Sequence, residues 1–195
     1  MILNNFICIR DLVNYSVAGG WGKENRTGEF TKPVAVIRGA DFPSIEKGVY
    51  SGLPIRWEKE SKVKKAALCP GDIILEISGG TNSRPTGRTL YITADLLKTY
   101  SCSLIPASFC RVIRSNSVVD SAYLYYWLQD MYKVGRTWSY QNRSTGLANF
   151  QFKAFMNSEE VFVPSMVQQQ RIVKILRDFD TKIKLNNRIN DYLAA

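Results

Sequence analysis

The sequence contains no histidine, and this absence excludes several kinds of chemistry. Ser-His-Asp and Cys-His catalysis, histidine general bases and histidine-ligated zinc all need that side chain. The four cysteines, Cys8, Cys69, Cys102 and Cys110, form no Cys-x-x-Cys pair, so we expect no metal site. The seven prolines are never adjacent. The chain therefore lacks the Asn/Asp-Pro-Pro-aromatic loop with which amino-type DNA methyltransferases hold a flipped base.

Long hydrophobic runs are also missing. No segment approaches the ~18 consecutive apolar residues of a membrane span, and no small-residue cleavage site follows the short apolar start of the chain. No basic helix carries a clean apolar face with aromatic anchors, so we expect no membrane partner. Cysteines without a disulfide framework are typical of a reducing cytoplasm, which is the compartment we expect.

Positive charge is in excess, with 26 Lys and Arg against 17 Asp and Glu and a formal net charge of +9. Such an excess favours a polyanionic partner, and nucleic acid is the first candidate. Hydrophobic residues make up 45% of the 195 residues, so the chain should fold around a core as one domain with one appendage.

Residues 1–163 alternate short apolar runs with Gly, Pro and Asn, which predicts an α+β domain of mixed twisted sheet and short helices. Asp120 or Ser121 is expected to cap a helix that carries Tyr123 and Trp127 on one face. Strands are predicted at Val34–Arg38, Ile73–Ser78, Thr89–Thr93, Ser108–Ile113 and Glu160–Val163. Gly79–Gly80 are expected to end the second of these strands.

Residues 164–195 have a different character. Ser165 and Gln168 have the spacing of a capping box, which favours a helix start. The pattern beyond them predicts an amphipathic, coiled-coil-type helix of about seven turns, ~40 Å long. This helix either packs on its own domain or forms an arm in which an asparagine on the seam fixes register. The predicted stripe is Ile172, Leu176, Phe179, Ile183, Asn186, Asn190 and Leu193.

The stretch Tyr132–Asn149 shows neither helical nor strand periodicity, which indicates either a functional loop or an ordinary polar one. Arginine forks onto guanine, asparagine and glutamine pair with adenine, and aromatic rings pack beside base edges. The predicted base-reading residues are Arg136, Trp138, Tyr140, Gln141, Asn142 and Arg143.

A second set of residues suits DNA phosphates. The loop Gly79–Arg88 is rich in glycine and arginine but lacks the Gly-Lys-Ser/Thr ending of a nucleotide-binding loop, so it indicates either a backbone contact or a solvated turn. Glu60-Ser61-Lys62, with Asp41 upstream, matches half of a metal-nuclease site, but the mixed charges around it favour a solvated face. The predicted phosphate contacts are Lys23, Arg26, Arg56, Lys59, Lys62, Lys64, Lys65, Arg84 and Arg88.

Five segments, in order, resemble the specificity (S) subunits of Type I restriction–modification systems. They are IRDLVNYSVAGGWGKE, similar to the family's opening helix, strand and glycine-rich turn; AVIRGADF, similar to its Arg-Gly-x-Asp strand; PGDIILEISGGTNSRPTGR, similar to its Gly-Asp-Ile strand and loop; STGLANF, in which Leu147 replaces the usual glutamine; and VFVPSMVQQQRIVKILRDFDTKIKLNNRIN, similar to its conserved helix. Pro164-Ser165 stands where the family has Pro-Pro.

The resemblance implies a half-length subunit, with a DNA target-recognition domain over residues 1–163 and a helical spacer arm over residues 164–195. It implies no catalysis and no cofactor on this chain. The expected partners are double-stranded DNA, DNA methyltransferase (modification) subunits that carry S-adenosylmethionine and, in restriction complexes, a translocating nuclease subunit.

Full-length members continue to a second recognition domain, whereas this sequence stops at Ala195. In the family two such helices pair, so a single-domain chain is expected to form a homodimer through its helix. That dimer would read an inverted repeat of half-sites around an unread spacer. The alternative is a stand-alone sequence-specific DNA-binding regulator that dimerises through the same helix.

Overall fold

The computed structural model describes residues 5–81, 83–144 and 147–193, and within these ranges the side chains of Arg143, Ser144, Leu147 and Asp191 lie outside the description. In chain order the strands are β1 (Phe6–Cys8), β2 (Val13–Ala18), β3 (Phe30–Ile37), β4 (Ile55–Lys59), β5 (Ile73–Glu76), β6 (Ser78–Gly80), β7 (Thr89–Tyr91), β8 (Ser103–Pro106), β9 (Cys110–Ser115), β10 (Gln141–Ser144), β11 (Leu147–Phe150) and β12 (Glu160–Phe162).

The α-helices are α1 (Ile9–Leu12), α2 (Phe42–Glu46), α3 (Glu60–Ala66), α4 (Ala94–Lys98), α5 (Ser121–Lys133), α6 (Phe152–Ser158) and α7 (Met166–Leu193), with short 3-10 helices at Gly39–Asp41 and Arg136–Tyr140. This mixture of strands and helices, ending in one long helix, confirms the predicted α+β class. Asp120 caps α5 as expected, because its carboxylate accepts from the N–H groups of Ala122 and Tyr123 at 2.8 and 3.1 Å.

The central sheet has the antiparallel order β2-β9-β5-β7 and is buried on both faces. Along β5, Ile73 and Leu75 face the cluster that contains α5, while Ile74 faces the opposite cluster with Phe42 and Leu96. This alternation follows from the two-residue side-chain period of a strand. A predominantly apolar run such as the one from Ile73 is therefore the pattern expected for a strand covered on both sides.

A second sheet has the order β4-β3-β8, with β3 antiparallel to β4 and parallel to β8. Strand β3 begins at Phe30, before the predicted start at Val34, and Pro33 lies inside it. Pro33 pairs with Trp57 of β4, whereas pairing with β8 begins at Val34. A proline is tolerated at this point because the neighbouring ladder starts only after it.

Two predictions about the irregular parts of the chain were wrong. Gly79–Gly80 do not end a strand: they belong to β6, which pairs with β11. The aperiodic stretch Tyr132–Asn149 is not a loop over its described residues, because it contains the end of α5, the 3-10 helix Arg136–Tyr140 and the strands β10 and β11. These two strands pair with each other, and β11 also pairs with β6 in a three-stranded sheet, so the stretch is ordered by contacts distant in sequence.

The helix α7 begins two residues after Pro164 and runs for 28 residues. At its start Gln168 Oε1 accepts from the backbone N–H and the hydroxyl of Ser165, at 3.1 and 2.9 Å. The side chain of Gln168 thus satisfies an amide at the helix start, which is one of the two reciprocal hydrogen bonds of a capping box. The division into domains at residues 163 and 164 stays a prediction.

Candidate nucleic-acid interface

The β10–β11 hairpin is fixed to the domain by an aromatic cluster at its base. The rings of Tyr140, Phe150 and Phe155 lie with centroids 5.1–5.8 Å apart in tilted and edge-on arrangements. Phe155 is fully buried and Phe150 nearly so. These contacts join the 3-10 helix, β11 and α6, and they hold the hairpin in a defined orientation.

Two predicted base-reading residues bind a buried carboxylate at this base, although the side chain of Arg136 is itself 49% exposed. Arg136 Nη2 donates to Glu159 Oε1, and the hydroxyl of Tyr140 donates to Glu159 Oε2 at 2.8 Å. The side chain of Glu159 is only 6% exposed, and the guanidinium of Arg136 also lies 5.1 Å from the ring centroid of Trp127. A buried carboxylate needs such partners, so the contacts of Arg136 and Tyr140 are those of residues that stabilise the hairpin.

A third predicted reader, Gln141, joins the hairpin to the glycine- and arginine-rich loop. Gln141 Oε1 accepts from the backbone N–H of Thr86 at 2.8 Å. A Cβ at Gly80 would lie 3.0 Å from the same oxygen and 2.9 Å from the Thr86 nitrogen, so a larger residue would force these segments apart. The loop and the hairpin therefore form one unit.

Both predicted phosphate-binding arginines of that loop hold a buried carboxylate. Arg88 donates to both oxygens of Glu76, through Nε at 2.9 Å and Nη2 at 2.7 Å. Arg84 donates to Glu76 Oε2 at 2.9 Å and to the carbonyl of Gly79 at 2.6 Å. The side chain of Glu76 is 4% exposed. The hydrogen bonds to Glu76, followed by its charge, raise the pKa of Arg88 above its ordinary value against the cost of burial.

The outward surface of the hairpin carries asparagine. Asn142 of β10 lies directly opposite Asn149 of β11, and both are exposed. Directly opposite residues of antiparallel strands place their side chains on the same face, so the two amides are neighbours. Trp138 is 39% exposed on the preceding 3-10 helix. The backbone of Arg143 lies in β10, while its side chain falls outside the described part.

Asn149 was missed at the sequence level, because its proximity to Asn142 depends on the hairpin register. That register is not visible in an aperiodic sequence. Phe109 is an exposed aromatic residue, with 59% of its surface accessible. Its carbonyl accepts from the N–H of Ile77, whose own carbonyl accepts from Phe150, so Phe109 lies close to the base of the hairpin.

A second surface combines cations with aromatic rings on β3, β4 and the preceding turn. Arg56 lies 4.7 Å from the ring centroid of Trp21, and Arg26 lies 5.9 Å from that of Trp57. Lys23 and Lys59 lie 4.8 and 5.3 Å from the ring centroid of Phe30. The guanidinium of Arg56 also pairs with Glu24 at 3.0 Å, and Lys59 pairs with Glu29 at 2.5 Å. We call this surface, together with the exposed lysines of α3, the basic face.

The three predicted lysines of α3 differ in orientation. Lys62 turns back to the sheet, where its ammonium donates to the carbonyl of Ala18 at 2.7 Å. Lys64 pairs with Glu60 at 2.9 Å and remains largely exposed, as does Lys65. Glu60 also lies 3.7 Å from Lys32, and Asp41 is held by Arg38 at 2.6 Å. The two carboxylates of the nuclease hypothesis are therefore bound to basic side chains in different parts of the chain.

Most of the α7 stripe is exposed. Ile172, Phe179 and Ile183 are 39%, 59% and 57% exposed, and Leu176 is half-buried. The side of the helix that meets the domain instead carries Gln169 and Val173, which are 1% and 5% exposed. The predicted stripe, which continues through Asn186 to Leu193, therefore lies on a different side of the helix from the contact with the domain over most of its length.

Among the described residues, no helix is both long and apolar enough to cross a membrane. Within the same residues, no group of three or more cysteine, aspartate or glutamate side chains is placed to hold a metal ion.

Solved structures of similar fold come from Type I restriction–modification systems. One is a chain from a study of complex assembly and conformational transition of the type I R-M system, with a TM-score of 0.63 and 13% identity over 96% of this chain and 41% of that one. Another is the HsdS subunit from Thermoanaerobacter tengcongensis, with a TM-score of 0.58 and 14% identity over 94% and 39%. A third is the S subunit from M. genitalium, with a TM-score of 0.56 and 16% identity over 98% and 46%.

The present chain thus spans less than half of each of these structures. None of the curated proteins matches it in sequence. The family model of the Type I restriction modification DNA specificity domain matches residues 5–195, nearly the whole sequence. The chain therefore belongs to the family of Type I restriction–modification DNA specificity domains.

Proposed function

We propose that this chain is the non-catalytic specificity component of a Type I restriction–modification complex, which reads a short half-site in double-stranded DNA and docks DNA methyltransferase subunits. S-adenosylmethionine would be bound by those subunits, and a restriction subunit would join the same assembly. The observation that carries the DNA-reading part is a hairpin anchored by buried contacts and carrying two neighbouring asparagines outward.

The outward amides suit adenine. An asparagine side chain donates to N7 and accepts from the N6 amino group of adenine in the major groove. Asn142 and Asn149 present two such amides side by side, and Trp138, four positions before Asn142, has a partly exposed ring. A base-reading element must hold its side chains in place, which Glu159 and the aromatic cluster do for this hairpin. We keep Arg143 as a predicted reader and remove Arg136, Tyr140 and Gln141.

The basic face suits the DNA backbone. The segments that form the basic face carry more basic than acidic residues. The basic residues are Lys23, Arg26, Lys32, Arg56, Lys59, Lys62, Lys64 and Lys65, and the acidic ones are Glu24, Glu29, Glu58 and Glu60. Phosphate contacts of this kind orient a protein on DNA without reading the sequence. We assign the exposed lysines of this face to phosphates, and we remove Arg84 and Arg88 because Glu76 engages both.

Selection from a randomised half-site library tests this division. Asn142→Ala and Asn149→Ala should each relax preference at one base position, with a loss of about 1–3 kcal/mol for the preferred base. The matched control is Lys64→Ala, which should weaken all sequences alike and flatten the salt dependence. Unchanged base preference in both asparagine variants would show that the hairpin does not read DNA.

The exposed stripe of α7 supports our proposal that a second copy of the same chain is its partner. Paired antiparallel, two α7 helices would hold two recognition domains apart over two half-sites. Phe179→Asp puts a charge in the middle of the stripe and should give monomers in sedimentation, while Lys174→Asp, outside the stripe, should leave the dimer intact. A wild-type chain that stays monomeric at high concentration, alone and with methyltransferase subunits, would contradict the pairing.

Co-purification distinguishes the specificity component from a stand-alone regulator. The chain should bind a methyltransferase subunit encoded beside it and confer sequence-specific methylation on the pair. Sequence-specific DNA binding without any stable methyltransferase complex would favour the regulator instead.

A further inference from the structure

Arg111 of β9 differs from three other partly buried arginines of the fold. Arg84, Arg88 and Arg114 each bind a buried carboxylate. Arg111 is also partly buried, but its contacts within the described part of the chain are to a hydroxyl and an aromatic ring. Burial lowers the pKa of Arg111, and the guanidinium still carries its charge at neutral pH. A partly buried charge without a counter-ion is costly, so Arg111 is a candidate for binding an anion from outside the chain.

The guanidinium of Arg111 is held in a defined orientation. Its Nε donates to the hydroxyl of Ser16 at 3.3 Å, and its Cζ lies 4.5 Å from the ring centroid of Phe152. Ser16 belongs to β2 and Phe152 to α6, so two different elements position the group. Neither Nη1 nor Nη2 donates to another of the described residues. Two adjacent N–H donors of a planar guanidinium are the group with which arginine binds phosphate oxygens.

Arg111 lies between the two surfaces that we assign to DNA. Directly opposite it on β2 is Ala18, whose carbonyl accepts from Lys62 of α3, next to the basic face. On the other side is Phe109, two residues earlier in the chain, whose backbone is hydrogen-bonded to the residue that bonds to β11 of the hairpin. Phe109 is 59% exposed, so this boundary is open to solvent. Double-stranded DNA carries a charge about every 1.7 Å along its axis, so a duplex that contacts both surfaces also brings phosphates to the boundary.

We propose that Arg111 binds a phosphate of the DNA backbone at the boundary between the β10–β11 hairpin and the basic face. This inference rests on the proposed function, because it needs a duplex that lies across both surfaces. Phosphate contacts fix the register of a protein on DNA. Arg111 belongs to a strand of the central sheet that is buried on both faces, so its contact positions the duplex relative to the most rigid part of the domain.

The experiment pairs a change in the protein with a change in the DNA. The full chain with its methyltransferase subunits is bound to duplexes of the preferred half-site, in which one phosphodiester at a time is replaced by an uncharged methylphosphonate. The wild-type complex should lose affinity at each contacted phosphate. Arg111→Gln should bind the unmodified duplex about tenfold more weakly, as expected for the loss of a charge-assisted hydrogen bond. It should be insensitive to replacement of one phosphate at which the wild type is sensitive, because that non-additivity identifies the pair.

Two further variants separate a direct contact from a general effect of charge or stability. Arg10→Gln removes the same charge from an exposed arginine that Asp11 already pairs at 3.5 Å, and it should keep the wild-type sensitivity at every phosphate. Arg111→Lys keeps the charge and loses the planar fork, so its sensitivity at the same phosphate should fall without disappearing. Each profile compares one folded complex with itself across duplexes, so a change in stability does not create the pattern.

Equal sensitivity of the wild type, Arg111→Gln and Arg111→Lys at every phosphate would overturn the proposal. Loss of the methyltransferase subunits from Arg111→Gln, with an unchanged phosphate profile, would overturn it as well, since Arg111 would then bind a carboxylate of a protein partner. A wild-type complex that binds the half-site and unrelated duplexes equally would instead overturn the proposed function.

Discussion

Replacing Arg88 separates a structural role from a DNA-binding one. Arg88 lies in a glycine- and arginine-rich loop, where an arginine is typical of a phosphate contact, yet its guanidinium makes two hydrogen bonds to Glu76. Arg88→Met keeps most of the side-chain length and removes the charge. The two roles predict opposite results for stability and for the salt dependence of DNA binding.

The structural role predicts a large loss of stability. Removing one partner of a buried ion pair costs about 3–5 kcal/mol, because the other charge stays buried. Glu76 is 4% exposed and Arg88 20% exposed, while Arg84 still donates to Glu76 Oε2. We therefore expect the lower end, about 3 kcal/mol. For a chain of this size such a loss lowers Tm by roughly 6–12 °C.

Urea unfolding of wild type and Arg88→Met measures the change in the free energy of unfolding. The double variant Glu76→Gln/Arg88→Met is the internal check, since removing both charges should restore stability to within about 1 kcal/mol of the wild type. DNA affinity of the folded Arg88→Met protein should fall with salt as steeply as that of the wild type.

An Arg88→Met protein that unfolds like the wild type, with a slope of log K against log salt shallower by about 0.9, the loss expected for one phosphate contact, would contradict the structural role of Arg88. The comparison is Lys64→Ala on the exposed surface of α3, for which we expect that shallower slope together with unchanged unfolding. The same pair of assays applied to both variants therefore identifies which of the two side chains contacts DNA.

Two further predictions concern buried groups. Arg136→Ala should destabilise the protein by about 1–3 kcal/mol in urea unfolding, because the buried carboxylate of Glu159 loses the half-exposed guanidinium that donates to it and keeps the hydroxyl of Tyr140; Lys153→Ala, exposed on α6, is the control, and equal stability of both variants would contradict the stabilising role of Arg136. Burial, then the charge of Glu76, raises the pKa of Cys110 from 9.0 to about 12, so its contribution to stability is complete below about pH 9 and lost as pH rises through about 12. Iodoacetamide at pH 8–9 should modify exposed Cys69 in the folded protein and Cys110 only at the rate of unfolding, and equal rates for both thiols would refute this.

Elements with local signals could be predicted from the sequence. Asp120 caps α5 because an aspartate before an apolar-periodic run favours a helix start, and its carboxylate accepts from two N–H groups of the first turn. The turn before β5 forms where Pro70-Gly71-Asp72 indicates it, and Gly71 has a φ of +90° that favours glycine. The predicted stripe of α7 exists as an exposed surface.

The sequence alone could not predict that the β10–β11 hairpin is well structured, because the contacts that stabilise it join residues that are distant in sequence. Arg136 meets Glu159 across 23 residues, and Gln141 meets Thr86 across 55. The residue types that read DNA bases also make hydrogen bonds within a fold. Residue type alone therefore led to the assignment of Arg136, Tyr140 and Gln141 to DNA. Only the register of β10 and β11 shows that Asn149 lies beside Asn142.

The basic residues divide by chemical type, and this is the reason why we no longer propose the loop arginines as phosphate contacts. Three buried carboxylates, Asp72, Glu76 and Glu159, each hold at least one arginine, and Arg114 and Arg88 bind theirs through two hydrogen bonds. A planar guanidinium matches a carboxylate in this way, whereas an ammonium is a compact, strongly hydrated point charge. Among the described residues, these arginines are thus engaged by buried carboxylates, while exposed lysines such as Lys64 and Lys65 stay on the surface. Exposed lysines are therefore a better guide than these carboxylate-bound arginines to where we expect DNA phosphates to bind.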